Sequence, residues 1–179
     1  MPLSHVQLIG RLLGADPEEA ACEFRTDFAD GERGESGSLI YVSRDRWITD
    51  VDHGGRTVST PYRSSHSGPD GEWHTEAPLT PSFTSPLALL LPRYAAIHGR
   101  VGDDWIVDDA DPVGEEDGML RVRLRHTEQE GYGATALVHP TRFCVTSFRT
   151  PAWTARLEHL RFTLDASERA LAHSLLDVR

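Results

Sequence analysis

The chain has no lysine. All 18 of its basic side chains are arginines, and 28 aspartate and glutamate residues outnumber them, which gives a formal net charge of −10. A protein that binds nucleic acid needs a basic surface to displace counterions from the phosphate backbone. The acidic balance therefore argues against a nucleic-acid partner. Codon bias in a GC-rich genome is sufficient to explain the use of arginine alone.

Cysteine is nearly as scarce, because the chain has only Cys22 and Cys144, which are far apart in sequence. Their spacing matches neither a zinc site nor a redox Cys-x-x-Cys pair. Each cysteine lies in a strand-like run with a phenylalanine nearby, Phe24 for the first and Phe143 for the second. We therefore expect two buried, free thiols.

Long hydrophobic runs are also missing. The N-terminal apolar stretch ends before the polar segment 16–19 and is too short for a secretory signal. No segment contains the ~20 apolar residues that a membrane span requires, and no lipidation motif precedes Cys22. We expect a cytoplasmic protein with no transmembrane segment. A length of 179 residues predicts a single domain over 1–179.

The common catalytic motifs are absent. The sequence has no nucleophile elbow, no phosphate-binding loop, no dinucleotide fingerprint and no His-Glu-x-x-His zinc motif. Its nine histidines form no pair at His-x-His or His-x-x-x-His spacing. The sequence therefore predicts no metal and no cofactor, and it favours a protein that is not an enzyme.

What the chain does contain is a repeated pattern of acidic turn residues followed by tryptophan. The three segments are Asp45-Arg46-Trp47, Asp70-Gly71-Glu72-Trp73 and Gly102-Asp103-Asp104-Trp105. Each segment adjoins an alternating or β-rich run. This pattern predicts a succession of hairpins and therefore an antiparallel sheet.

The clearest alternation lies in the last third of the chain. Between residues 120 and 126, apolar side chains face one way and Arg121, Arg123 and Arg125 face the other. These three are the only arginine cluster in the sequence. The following strand, 132–139, carries small residues from Gly133 to Ala136. A cavity beside the sheet and close backbone packing both explain that loss of bulk.

Two segments near the N-terminus have recognisable periodicity. Apolar residues at helical spacing predict a helix over about 3–14. In the next segment, 20–28, the alternation of Cys22 and Phe24 favours a strand, although Phe24 and Phe28 also suit one face of a helix. We predict the strand.

A short helix is predicted in the middle of the chain. Ser85 can cap it, and Pro86 occupies the first helical position, where proline is favoured. The segment 87–91 is apolar on all sides. Such a helix must be buried or must cover an apolar surface.

The chain ends in a second capped helix. Asp165, with Glu168 three residues later, forms a capping box for a helix over about 166–176. Between the predicted elements, polar, glycine-rich or acidic segments predict loops at 30–37, 64–71 and 108–118.

The order of these pieces resembles the lipoprotein-carrier superfamily, the LolA-like and LppX/LprG-type half-barrels. The segments that carry the resemblance are residues 37–42 followed by Asp45-Arg46-Trp47, the hairpin Asp70-Gly71-Glu72-Trp73, the stretch from Thr80-Pro81 through Ser85-Pro86-Leu87-Ala88-Leu89-Leu90, and the strands of 120–164. The resemblance implies an unclosed half-barrel with helices on its concave face and an apolar cavity for lipid between them. The chain departs from that exported family because it has no export signal or lipobox.

We therefore expect an α+β fold. The expected sheet is curved, antiparallel and unclosed, with about nine to eleven strands over roughly 35–164. A short helix is expected to cover its concave face, and terminal helices are expected at about 3–14 and 166–176.

The predicted function is non-catalytic binding of a lipid or other apolar small molecule. The predicted lining residues are Trp47, Trp73, Leu87, Leu90, Leu91 and Trp105. The first alternative is a cofactor-free cyclase or isomerase acting on an apolar intermediate, in which His74, His98 or Tyr132 supplies acid–base chemistry. The second alternative is a protein-interaction module that binds a partner segment by strand addition.

Overall fold

The computed structural model describes residues 3–68, 70–77 and 85–176; Thr80-Pro81, part of the carrier resemblance, lies outside these ranges. The described helices are α1 (His5–Gly14), α2 (Pro86–Leu90) and α3 (Ala166–Leu176), with a 3-10 helix at Pro92–Tyr94. The described strands are β1 (Ala20–Phe28), β2 (Arg33–Ser43), β3 (Arg46–Val51), β4 (Gly55–Ser59), β5 (Ser64–Ser67), β6 (Trp73–Glu76), β7 (Trp105–Val107), β8 (Gly114–Glu116), β9 (Met119–His126), β10 (Gly133–Val138), β11 (Val145–Arg149) and β12 (Trp153–Arg161). None of the helices in these ranges is long and apolar enough to cross a membrane.

The strands form one sheet in the order β6-β5-β4-β3-β2-β1-β12-β11-β10-β9-β7, and β8 also pairs with β9. Every pairing whose register is described is antiparallel. The order has two ends, β6 and β7, so the sheet is unclosed. The predicted α+β class with an unclosed antiparallel sheet is confirmed, as is the preference for a strand over 20–28.

The sheet is larger than the sequence predicted, with twelve strands among the described residues instead of nine to eleven. It begins at β1 rather than near residue 35. The predicted loop at 64–71 contains β5, the acidic loop at 108–118 contains β8, and β2 already begins at Arg33 within the predicted turn 30–37. The polar segments of β5 and β8 become strands because β4 and β9 supply backbone partners for them.

The chain divides into two compact units. Unit 1 comprises Met1–Asp16, Thr26–Arg33 and Pro81–Leu157, and unit 2 comprises Pro17–Arg25, Gly34–Thr80 and Glu158–Arg179. The single domain over 1–179 stays a prediction.

The core of unit 2 forms where α3 packs against β3 and β4. Its buried members are Ala21, Ile40, Ile48, Val58, Leu164, Ala172 and Leu176. The predicted capping box is present, because the Glu168 N–H donates to the Asp165 carboxylate at 2.9 Å and the Asp165 N–H donates to the Glu168 carboxylate at 2.8 Å. These bonds satisfy helix N–H groups that lack a partner within α3.

Unit 1 is built around α2. The Leu87 N–H donates to the Ser85 hydroxyl at 3.2 Å, and Pro86 occupies the first turn. Residues 87–91 are all buried, and α2 packs against β11. The prediction of a buried, apolar helix is therefore confirmed. At the start of unit 1, α1 buries Leu8 and Leu12 and packs against the 3-10 helix.

Candidate functional site

Five aromatic side chains of unit 1 contact one another and form what we call the aromatic cluster: Trp105, His126, Tyr132, Phe148 and Trp153. The Trp105 ring centroid lies 5.1 Å from that of His126, 5.5 Å from that of Tyr132 and 5.7 Å from that of Phe148. Phe148 in turn stacks on Trp153 at 5.4 Å. These separations fall in the range where aromatic pairs attract each other.

The strand register brings these rings together. Trp105 on β7 lies opposite His126 on β9. The His126 N–H donates to the Tyr132 carbonyl at 2.9 Å across the β9–β10 hairpin. On the other side of β10, Phe148 lies opposite Ala136, whose small side chain leaves space for the ring. Ala136 of β10 is thus where the sheet accommodates the Phe148 ring.

The aromatic cluster has a buried floor and an accessible rim. Trp105 is 4% exposed and Phe148 is 1% exposed, whereas His126, Tyr132 and Trp153 are half-buried. The His126 ring is held in place because its Nδ1 accepts hydrogen bonds from the Glu128 and Gln129 N–H groups, both at 3.1 Å. The cluster therefore offers fixed aromatic surface to solvent.

An open pocket of about 440 Å³ adjoins the rim of the cluster. Its lining residues are Asp108, Asp111, Arg123, Leu124, Arg125, Gly131, Tyr132, Gly133 and Ala134. One wall is charged, with the Arg123 Nε 3.5 Å from the Asp111 carboxylate. Tyr132 belongs to both the cluster and the pocket. Tyr132 is thus the cluster residue at which aromatic surface and polar groups come together, a combination typical of small-molecule sites.

The loop that precedes Trp105 is organised by Asp103. The Asp103 carboxylate accepts hydrogen bonds from the His98 N–H at 3.0 Å, the Arg100 N–H at 3.1 Å and the Arg100 Nε at 3.1 Å. Burial alone would raise the pKa of Asp103, but these hydrogen bonds outweigh it and lower the pKa. The Trp105 N–H then donates to the Ala96 carbonyl at 3.0 Å, which fixes the start of β7.

His98 has a structural environment. Its Nε2 donates to the Pro92 carbonyl at 2.7 Å, and among the described residues its buried Nδ1 has no hydrogen-bond partner. Burial lowers the pKa of His98 below its ordinary 6.5, and the nearby Arg100 charge adds to the effect. The neutral imidazole is therefore the form that the fold favours.

We expect the protein to become less stable as the pH falls. A histidine whose pKa is lowered by folding stays neutral in the folded state while the unfolded chain takes up a proton. The loss of stability begins near pH 6.5 and grows until the pH falls below the pKa that His98 has in the folded protein. Burial also lowers the pKa of His139, so this residue acts in the same direction. Urea unfolding between pH 7.5 and 5 measures the effect.

Three variants test which histidines cause that pH dependence. His98→Gln retains a donor for the Pro92 carbonyl and should reduce the slope of unfolding free energy against pH, as should His139→Gln. His53→Gln, at an exposed turn, should leave the slope unchanged. An unchanged slope in both of the first two variants would contradict this account.

The predicted lining residues fall in both units. Leu87, Leu90 and Leu91 are fully buried in or next to α2, and Trp105 lies in the floor of the aromatic cluster; all four belong to unit 1. Trp47 is buried on β3, and Trp73 is 51% exposed on β6; both belong to unit 2. The lining set stays a prediction.

The three candidate acid–base residues are not linked by any described hydrogen bond or ring contact. His74 belongs to unit 2, where its ring lies 5.5 Å from that of His66. His98 and Tyr132 belong to unit 1, and the imidazole beside Tyr132 is that of His126, 5.8 Å away. Sequence reasoning missed His126, although its position two residues after Leu124 puts it on the inward-facing register of β9.

The edge strand β6 bears on the alternative of strand addition. It ends the strand order, and all four of its residues are exposed. Strand addition by a partner segment stays a prediction.

The cysteines and acidic groups offer little chemistry. Cys22 and Cys144 are free and buried, as predicted, and burial raises the pKa of Cys144 to about 12, so its thiol is not a nucleophile at neutral pH. Within the described ranges, no group of three or more histidine, cysteine, aspartate or glutamate side chains is placed to hold a metal ion.

Comparison with known proteins finds only weak structural matches. No protein-family model and no curated protein matches the chain. Solved structures that match include one of PNGF-II, at 7% identity and a TM-score of 0.37, which covers 86% of this chain and 29% of that one. Another is a putative outer membrane lipoprotein-sorting protein domain from Vibrio parahaemolyticus, also at 7% identity and a TM-score of 0.37, which covers 93% of this chain and 97% of that one.

The chain thus spans under a third of the first structure and nearly all of the second. Identities and TM-scores this low assign no function.

Proposed function

We propose that this protein binds, without covalent chemistry, a small molecule that has an apolar body and a polar end. The observation that supports the proposal is the aromatic cluster, whose half-buried Tyr132 also lines the open pocket. The apolar part of the ligand would contact Tyr132, and the charged wall of the pocket would orient its polar end.

The size of the pocket is consistent with this role. A volume of about 440 Å³ lies within the range of roughly 300–1,000 Å³ that is typical of small-molecule sites. Rings held by mutual contacts lose little side-chain freedom when a ligand binds, which lowers the entropic cost of association. A preformed aromatic surface thus supports binding by shape and apolar contact.

A lipid is the specific ligand that we propose. The leucines of α2 are the greatest concentration of apolar side chains in the lining set, but Leu87, Leu90 and Leu91 are fully buried. A ligand would reach them only if α2 moved away from β11. An acyl chain that displaced α2 would gain about 0.8 kcal/mol for each methylene buried, and a long chain would offset in this way the cost of exposing the leucines.

Native mass spectrometry of freshly purified protein is the first test of this proposal. A bound mass of a few hundred daltons that disappears on denaturation is the expected result, and its identity would separate a lipid from another apolar compound. A clean mass for the protein alone, together with no binding of the neutral apolar dye Nile red, would overturn the proposal.

Variants then locate the site, with Nile red as the probe. Tyr132→Ala should weaken binding about tenfold, because removing a half-buried aromatic contact costs roughly 1.5 kcal/mol. Tyr62→Ala is the matched control, since Tyr62 is 87% exposed. Equal affinities for the Tyr132→Ala and Tyr62→Ala proteins would remove the cluster from the site.

A further inference from the structure

Five arginines of unit 1 lie on one face of the sheet, which we call the arginine face: Arg121, Arg123, Arg125, Arg149 and Arg156. The first three alternate along β9 with the buried Val122 and Leu124. Residues directly opposite each other in an antiparallel pair share a face. Arg123 lies opposite Thr135, which lies opposite Arg149. Arg121 is linked in the same way through Leu137 and Ser147 to Arg156.

The arginines border a shallow trough along β10. The trough floor is formed by Gly133 opposite Arg125 and by Thr135 between Arg123 and Arg149. Neighbouring strands lie about 4.8 Å apart, so the Cα atoms of Arg123 and Arg149 are separated by roughly 10 Å. Guanidinium groups on side chains of that length can converge on one group above Thr135. The Thr135 hydroxyl accepts a hydrogen bond from Arg123 Nη1 at 3.0 Å and retains its own proton for donation.

On this face Arg123 and Arg156 have acidic partners, whereas Arg121, Arg125 and Arg149 have none among the described residues. Arg123 pairs with Asp111, and Arg156 pairs with Asp27 at 3.2 Å. Acidic groups do lie nearby: Asp108 and Asp111 line the same pocket as Arg125. The pocket is thus charge-balanced, and the excess positive charge lies over β10, toward Arg149.

From this juxtaposition we propose that the arginine face binds an oxyanion, a phosphate or carboxylate group, between Arg125, Arg123 and Arg149 above Thr135. Arginine presents paired N–H donors that match the oxygens of phosphate and carboxylate. The chain carries a net charge of −10, which disfavours a polyanion at long range. A single anionic group is the occupant that fits a small basic patch on an acidic protein. This proposal goes beyond the binding of an apolar body at the aromatic cluster.

The test measures thermal unfolding while inorganic phosphate replaces chloride at constant ionic strength. The midpoint temperature of the wild type should rise with phosphate concentration, because a ligand that binds only the folded state stabilises it. Arg125→Gln and Arg149→Gln should each raise the dissociation constant about tenfold. Arg63→Gln is the control, because Arg63 is an exposed arginine of unit 2. Far-ultraviolet circular dichroism verifies that each variant is folded.

A second arm identifies the source of the anion. Vesicles of phosphatidylcholine containing phosphatidylglycerol are compared with vesicles of phosphatidylcholine alone. A phosphate effect that both arginine variants lose supports a free oxyanion, and binding only to the anionic vesicles, lost in the same variants, supports a lipid headgroup. No response to either probe, or an equal loss in Arg63→Gln, overturns the proposal. Neutral Nile red carries no anionic group for the arginines to bind, so the two proposals fail separately.

Discussion

Trp105→Ala is expected to lower the free energy of unfolding by about 3–5 kcal/mol, the usual cost of truncating a buried large aromatic side chain. Trp105 is 4% exposed and contacts three other rings. Its removal would leave a cavity beneath the rim of the cluster and deprive Phe148 and Tyr132 of their packing partner. Urea unfolding followed by circular dichroism measures the loss without relying on tryptophan fluorescence.

Two comparison variants show whether the loss comes from packing. Trp105→Phe keeps an aromatic ring and should cost less than Trp105→Ala. Trp153→Ala removes an indole of the same size from a half-buried position. It should lower the free energy of unfolding by less than Trp105→Ala does. A loss below about 1 kcal/mol for Trp105→Ala would show that the cluster does not pack as a unit.

This result bears on the proposed function. Trp105 is part of the predicted lining, but its truncation would change the stability and the proposed ligand binding together. Tyr132, at the rim, separates the two effects because its truncation removes ligand contact area and leaves the buried floor in place. Tyr132 is therefore the better position at which to measure affinity.

Hairpin signals in the sequence predicted much of the architecture. The alternation of Val122 and Leu124 with arginines identified β9, and the acidic turn residues before Trp47, Trp73 and Trp105 marked β3, β6 and β7. The caps of α2 and α3 were readable because Ser85 and Asp165 satisfy local N–H groups. Each of these signals depends only on neighbours within a few residues.

The elements that the sequence missed depend on partners elsewhere in the chain. The segment Ser64-Ser65-His66-Ser67 has no apolar alternation, and it becomes β5 because β4 and β6 flank it. In the same way, Gly114-Glu115-Glu116 becomes β8 beside the start of β9. Backbone pairing, rather than side-chain pattern, decides such short polar strands.

The candidate site was only partly predictable for the same reason. Trp105 stood out as a tryptophan after acidic turn residues and Tyr132 as a candidate acid–base residue. Phe148 and Trp153 join them only through the register of β10, β11 and β12. Likewise the sequence showed the arginine row of β9, but only the register places Arg149 across Thr135. Cross-strand register links residues that no local pattern connects.

The loop before β7 gives the other large expected effect. Asp103→Ala should lower the free energy of unfolding by about 2–4 kcal/mol, because hydrogen bonds to a charged group contribute about 1.5–3 kcal/mol each. The substitution leaves the His98 and Arg100 N–H groups without their acceptor. The Asp103 side chain is only 8% exposed, so water replaces the lost carboxylate poorly. Urea unfolding at pH 7 measures the loss.

Asp104→Ala is the matched control, because Asp104 is the exposed neighbour and surface substitutions usually stay within about 0.5 kcal/mol. The pH gives a second check. The pKa of Asp103 is lowered from its ordinary 3.8, so its contribution is complete above that pH and is lost as the pH falls through the folded pKa. The difference in unfolding free energy between the wild type and Asp103→Ala should therefore narrow only below about pH 3.8. If the difference in unfolding free energy instead narrows near pH 6, the titrating group is His98. If Asp103→Ala and Asp104→Ala lose the same unfolding free energy, the Asp103 carboxylate does not hold the loop before Trp105.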